Sequence, residues 1–230
     1  MGVAVAIWLG DKQYRAFGGN QGVVTELAIW VVPAGVIGGR LYHVATSPEN
    51  FFGSKGSLIS VVKIWEGGLG IWGAIALGFA VAFWRYKQLN LEIPFSYFMD
   101  SLAPGLLIAQ GIGRFGNWFN GELYGRETSL PWALQLANGN TYHPTFLYEA
   151  ICNFLLAALL IRITGKLKSG LLFYLYVAGY CGYRFLIEGI RIDSAHVFMG
   201  LRLNQWVALI LGSASVAKII KIRNSLPAKR

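Results

Sequence analysis

Apolar residues run through this chain in long blocks, and the charges collect in the short stretches between them. Residues 24–44, 69–84, 95–113, 144–163, 170–187 and 203–220 are each apolar over, or close to, the roughly 20 residues that an α-helix needs to cross a bilayer core. Residues 2–9 are apolar too, but this stretch is too short to cross, and the polar run Asp11-Lys12-Gln13-Tyr14-Arg15 soon follows. A signal peptide carries its charges in front of the apolar core, so the stretch reads as the tail end of a first helix that begins further upstream. The pattern predicts an all-α fold. It is a polytopic membrane helix bundle of six full transmembrane helices plus a truncated first one, with a small polar segment at 114–143 on the outer face. No repeat, low-complexity tract or linker divides residues 1–230, and one integral-membrane domain is expected.

Composition strengthens this reading. Charged residues make up 13% of the chain, about half the share usual in soluble domains, and mean hydropathy is +0.48. The net charge of +9 would suit a nucleic-acid binder, but the basic residues are spread over the loops between apolar blocks. That spread marks topology and lipid contact instead. Lys12, Arg15, Arg85, Lys87, Arg162, Lys166, Lys168, Lys218, Lys221, Arg223, Lys229 and Arg230 all fall on one side of the predicted bundle, which makes that side, and the C-terminus, cytoplasmic. The other side holds Lys55, Lys63 and a set of arginines: Arg40, Arg114, Arg126, Arg184, Arg191 and Arg202. A guanidinium fork grips phosphate through two parallel hydrogen bonds, so this set is a candidate phosphate site. Cys152 and Cys181 lie inside predicted spans, and neither their spacing nor their setting points to a disulfide or a metal.

Two clusters concentrate the chemistry. The run Gly111-Ile112-Gly113-Arg114-Phe115-Gly116-Asn117-Trp118-Phe119-Asn120-Gly121-Glu122-Leu123-Tyr124-Gly125-Arg126 places strong bases, amides and an acid at a predicted membrane boundary. Snorkelling arginines in an interfacial loop are one reading; a site that holds a phosphate is the other, and the density of polar side chains favours it. Arg114 and Asn117 are three apart and share a helical face, and Glu122 and Arg126 would repeat the pattern one turn on. In the second cluster Tyr180, Arg184, Glu188 and Arg191 fall within roughly 80° of helical arc, with Glu188 able to pair with either arginine. An internal ion pair that only locks two helices is the alternative; ionisable residues inside spans more often face a site. His143-Pro144 opens a predicted span with Tyr148 and Glu149 one turn inside it, and His43 follows Arg40 and Tyr42. Walker, HExxH and Gly-x-Ser-x-Gly motifs are absent.

The stretch from Gly113 to Arg126 resembles the signature of the prolipoprotein diacylglyceryl transferase family. Further matches follow in the family's order: Ile37-Gly38-Gly39-Arg40-Leu41-Tyr42-His43, Trp65-Glu66-Gly67-Gly68-Leu69, His143-Pro144 with Leu147-Tyr148-Glu149, and Tyr183-Arg184 with Glu188 and Arg191. The resemblance implies a multi-pass enzyme of the bacterial plasma membrane, with its active site on the outer side. Such an enzyme moves the diacylglyceryl group of phosphatidylglycerol onto the lipobox cysteine of a preprolipoprotein, forms a thioether and releases glycerol 1-phosphate, without metal or organic cofactor. It implies catalytic roles for Arg114, Arg184, Asn117, Glu122, Tyr180 and Glu188, and substrate binding by Arg114, Arg126, Gly125, Arg40, Arg191 and His143. Two departures stand out. Many members carry a histidine followed by two glycines after Trp-Glu-Gly-Gly, where this chain has Trp72, which opens the thiol-base role to His43, His143, a carboxylate or none. Members also carry an N-terminal tyrosine that this chain lacks, which would mean a late start or an impaired protein. An arginine-lined anion or lipid transporter is the competing function, although no inverted repeat supports it, and a purely structural membrane subunit is a third.

Overall fold

The computed structural model describes residues 1–52 and 56–224, so Lys55, Lys229 and Arg230 of the orientation argument lie outside the described residues. Among the described residues there are seven α-helices, one for each apolar block: α1 Gly2–Ala16, α2 Val23–Thr46, α3 Ile71–Gln88, α4 Phe95–Phe119, α5 Thr145–Ile163, α6 Leu171–Glu188 and α7 Leu203–Asn224. Three short 3-10 helices, Pro48–Asn50, Leu58–Val61 and Ile64–Glu66, and two antiparallel hairpins of two-residue strands accompany them, β1 Leu134–Gln135 with β2 Thr141–Tyr142, and β3 Val197–Phe198 with β4 Leu201–Arg202. Helices α2, α5 and α7 are long and apolar enough to cross a membrane. Polarity is distributed as lipid demands. Asp100, Thr145, Glu149, Asn153 and Glu188 are buried, while Ile29, Leu41, Leu155, Leu159 and Ile210 are exposed. This is a mostly helical membrane protein.

Two boundaries differ most from the sequence pattern. Helix α1 continues through the charged run to Ala16, with Arg15 paired to Asp11 at 3.2 Å, one turn away. Helix α4 does not stop at Gly113 but carries Arg114 and Asn117 on to Phe119, so the first part of the signature is helix rather than loop. The true stop is Gly121, at φ 64°, with the Glu122 amide bonded back to the Asn117 carbonyl at 3.0 Å.

The chain forms two compact units, one of residues Met1–Gly19 and Ser96–Arg230, the other of Asn20–Phe95. In the first unit, Ala103 and Leu107 of α4, Ala157 and Leu160 of α5 and Leu172 of α6 make a buried core. Lipid tails are as apolar as these side chains, so shape and polar locks hold the helices together rather than burial alone. Gly2 and Ala6 of α1 lie against Ala109 and Gly105 of α4, backbone against backbone. Tyr183 of α6 donates to Asn153 of α5 at 2.8 Å, and Asn153 in turn donates to the Glu149 carbonyl at 2.8 Å.

In the second unit, α2 and α3 pack closely because Gly38 and Gly73 present bare backbone to each other. The Gly70 amide bonds the Gly39 carbonyl at 2.8 Å, and Arg85 pairs with Glu26 at 2.5 Å at the other end of the helix pair. A Cβ at Gly38 would collide with the Gly73 carbonyl, whereas one at Gly113 meets nothing. Gly38→Ala is therefore expected to cost about 1–3 kcal/mol, and Gly113→Ala to be neutral or stabilising by up to about 1 kcal/mol. Reversible unfolding in detergent measures both.

Candidate active site

The first unit holds a chain of ion pairs drawn from three helices, a loop and the hairpin strand β4. Arg114, near the end of α4, and Arg184, in the last turn of α6, are seventy residues apart, yet each takes one oxygen of Glu149: Arg114 Nε on Oε2 and Arg184 Nη1 on Oε1. Glu149 is buried early in α5. The other terminal nitrogen of Arg184 pairs with Glu188 at 2.5 Å. Glu188, fully buried, also receives Arg202 Nε at 2.9 Å, Arg191 at 3.7 Å and the Asn204 amide at 3.3 Å. Arg202 further donates to the Arg191 carbonyl at 2.8 Å and to the Asp193 carboxylate at 2.9 Å, while Arg191 meets Asp193 at 2.7 Å.

Charge decides what this network lacks. Arg114, Arg184, Arg191 and Arg202 face Glu149, Glu188 and Asp193, which leaves one positive charge uncompensated. Desolvating an ion costs several kcal/mol unless it is paired, so the surplus favours an anion. Among the described residues the two terminal nitrogens of Arg114 meet no partner, because only its Nε reaches Glu149. That leaves a free guanidinium edge beside Arg184. Outside the helices, burial pushes the Asp193 carboxyl up, but the Arg191 hydrogen bond and the charges of Arg191 and Arg202 outweigh it and hold the group below the usual carboxylate range. Burial acts against the charge on Arg191, and Asp193 with Glu188 more than restores it.

The remaining sequence candidates fall into three groups. Gly125 lies where three segments meet. Its amide bonds the His143 carbonyl at 2.9 Å, it bridges Arg191, and the Arg126 amide bonds the Ile190 carbonyl at 2.9 Å. A side chain at Gly125 would strike His143, Thr145 and the Ile190 carbonyl, so only glycine fits. Arg191 is accordingly not on the α6 stripe. The helix ends at Glu188, and Arg191 returns to the cluster through this bridge. Tyr180 does stay on α6, one turn before Arg184, its ring tilted against Tyr176 and edge-on to Tyr183.

The second group lies nearer the surface. Asn117 follows Arg114 within α4. Glu122 is exposed and accepts from Asn120 at 3.1 Å rather than pairing with Arg126, because the chain is no longer helical there. Arg126 is exposed and donates to the Gly189 carbonyl at 2.9 Å. His143 Nδ1 shares a hydrogen bond with the Tyr148 hydroxyl at 3.0 Å, and that hydroxyl also accepts from Trp132 at 2.9 Å.

Arg40 belongs to the second unit. Its buried guanidinium is surrounded by backbone carbonyls, among them Val61 at 2.9 Å, Gly67 at 2.6 Å and Gly68 at 2.9 Å, and it stacks over Phe51. Arg40 and His43 border a cavity of about 210 Å³ together with Glu66 and Gly67. Trp72 stands half exposed in the first turn of α3.

Sequence reading overlooked Glu149 and Arg202 as partners. Glu149 was visible one turn into a span, a place where an unpaired acid is costly. Nothing in the spacing pointed to Arg202.

A family model described as prolipoprotein diacylglyceryl transferase matches residues 1–221. Phosphatidylglycerol–prolipoprotein diacylglyceryl transferase 2 of Streptomyces coelicolor is 48% identical over 96% of this chain and 72% of its own length. The enzyme of the same name from Streptomyces griseus is 48% identical over 96% and 69%, and that of Bifidobacterium adolescentis 41% over 97% and 73%. No solved structure matches. With the family's model covering nearly all of its length, this chain belongs to the prolipoprotein diacylglyceryl transferase family.

Proposed function

We propose that this chain transfers the sn-1,2-diacylglyceryl group of phosphatidylglycerol to the lipobox cysteine thiol of a preprolipoprotein. A thioether forms, and glycerol 1-phosphate is released. The observation that carries this reading is the convergence of Arg114 and Arg184 on Glu149, with the outer edge of Arg114 unpartnered among the described residues. The names of the relatives support the same reading, and nothing favours the transporter.

In the reaction, sulfur attacks the glyceryl carbon that bears the phosphate, and the carbon–oxygen bond electrons pass to the leaving phosphate. Charge therefore grows on phosphate oxygens. Preorganised guanidinium donors aimed there bind the transition state better than the ground state. The same cations depress the substrate thiol below its usual pKa of about 8.5, which enriches the thiolate. Glu149 and Glu188 hold the forks in place. Asn117, Glu122 and Tyr180 complete the catalytic assignment. Substrate binding extends to Gly125, Arg126, Arg191 and His143, and in the second unit to Arg40 through the loop it braces.

The same reading takes 1–230 as one integral-membrane domain of a bacterial plasma membrane. Helices α2–α7 are then six full spans after a shorter α1, the C-terminus is cytoplasmic and the arginine site lies toward the outer side. The placement of the lysines supports this orientation.

Purified protein with phosphatidylglycerol and a lipobox peptide should add the mass of one diacylglycerol to the peptide. Arg114→Lys keeps the charge but loses the fork, and is expected to lower kcat about 10²-fold or more, as is Arg184→Ala. Full transfer by both variants would sink the mechanism. The depressed Asp193 carboxyl predicts a pH signature. A carboxylate favoured by folding stabilises above its unfolded pKa of about 3.9, and the gain fades as pH falls through the lower folded value. The thermal midpoint of Asp193→Asn should thus lie below wild type at pH 7, and the gap should close only below about pH 4. A gap independent of pH would contradict this.

A further inference from the structure

Asp100 is buried in α4, and the chemistry above does not use it. Its two oxygens accept the amides of Gly170 at 2.6 Å and Phe173 at 2.8 Å, at the start of α6. First-turn amides lack partners inside their own helix, and Gly170, at φ 86°, has no side chain with which to cap them. Helix α6 is therefore capped in trans, from α4. A local cap stabilises one helix. A cap lent by a neighbour also fixes the height and rotation of the two helices against each other.

That height matters at the far end. Fourteen residues lead from Asp100 to Arg114, and fourteen from Gly170 to Arg184. At 1.5 Å per residue both arms rise about 21 Å. The two helices run the same way from the Asp100 contact, and the guanidiniums at their upper ends meet on one carboxylate. Between foot and forks, Gln110 of α4 donates to the Tyr176 hydroxyl of α6 at 3.0 Å, a diagonal tie between the two helices. Equal arms from a shared foot bring Arg114 and Arg184 level, whereas a slip of one residue would raise one fork about 1.5 Å above the other.

We infer that Asp100 is a positioning residue: by capping α6 from α4 it sets the register that brings Arg114 and Arg184 level for gripping the lipid phosphate. The inference rests on the transferase reading proposed above. A purely stabilising Asp100 would make activity follow thermal stability in every variant, and register control separates the two.

The test uses the full chain in phosphatidylglycerol nanodiscs, with peptide transfer and thermal unfolding measured on the same samples. Asp100→Glu keeps the charge and both acceptors but adds a methylene. It should hold its thermal midpoint while kcat/KM for phosphatidylglycerol falls about 10–100-fold, mainly through KM, because misplacement on the 1 Å scale is that costly. Asp100→Asn keeps the length and loses the charge. It should unfold at lower temperature while the folded fraction keeps kcat/KM within about threefold, well short of that misplacement penalty. Wild-type kinetics in Asp100→Glu overturn the inference and leave the transferase reading intact. If Asp100→Glu fails to fold, Asp100→Ala, which removes both cap acceptors, decides: a kcat/KM per folded molecule about 10-fold or more below wild type supports register control, and a wild-type kcat/KM in its folded fraction overturns it. A wild-type chain that forms no thioether overturns both readings.

Discussion

Two guanidinium groups brought together repel each other, and the first unit is arranged around the buried carboxylate that lets them stand side by side. Glu149 offers one oxygen to Arg114 and the other to Arg184. Attraction in such a setting far exceeds its value in water, but it repays desolvation only where the geometry is fixed. The fixing is local. Glu149 sits early in α5, its carbonyl is held by Asn153, and Asn153 is held by Tyr183 on the helix that carries Arg184. Glu188 then anchors the far side of Arg184 and leaves the edge of Arg114 open.

Much of this was legible in the chain. Long apolar blocks announce helices because a bilayer leaves the backbone few alternatives, and each block became one. The two arginine clusters stood out for the same reason: charge amid apolar residues is costly and has a purpose. Other features depend on contacts between distant segments. The apolar block stops at Gly113, yet α4 runs on through Arg114 and Asn117 and ends only where Gly121 turns left-handed. Arg191 fitted the α6 stripe by periodicity, but the bridge to Gly125 takes it off the helix. Arg40 looked like a ligand-binding fork. Backbone carbonyls of its own unit occupy it, and no residue pattern encodes carbonyl positions.

The two units solve the same packing problem differently. In Asn20–Phe95 the helices touch through bare backbone at Gly38 and Gly73, and a buried cation gathers the following loop. In the unit containing the arginine cluster, backbone contact joins α1 to α4, whereas polar side chains reach across between α4, α5 and α6 at several heights, from Asp100 through Gln110 and Asn153 to Glu149. Backbone contact favours closeness, while polar rungs favour register, and register is what a phosphate clamp needs.

The reach of Arg202 also has a bearing on biogenesis. The chain is made from its N-terminus onward, so Glu188 leaves the ribosome with Arg184 beside it and without the cation that β4 will bring at 2.9 Å. Until the hairpin folds and α7 follows it into place, Arg114, Arg184 and Arg191 only balance Glu149, Glu188 and Asp193, and Glu188 lacks one of its three arginine partners. The last hairpin thus supplies the site's surplus charge, and a nascent protein halted before residue 202 would hold three arginines matched by three carboxylates, with no net positive charge left to draw an anion.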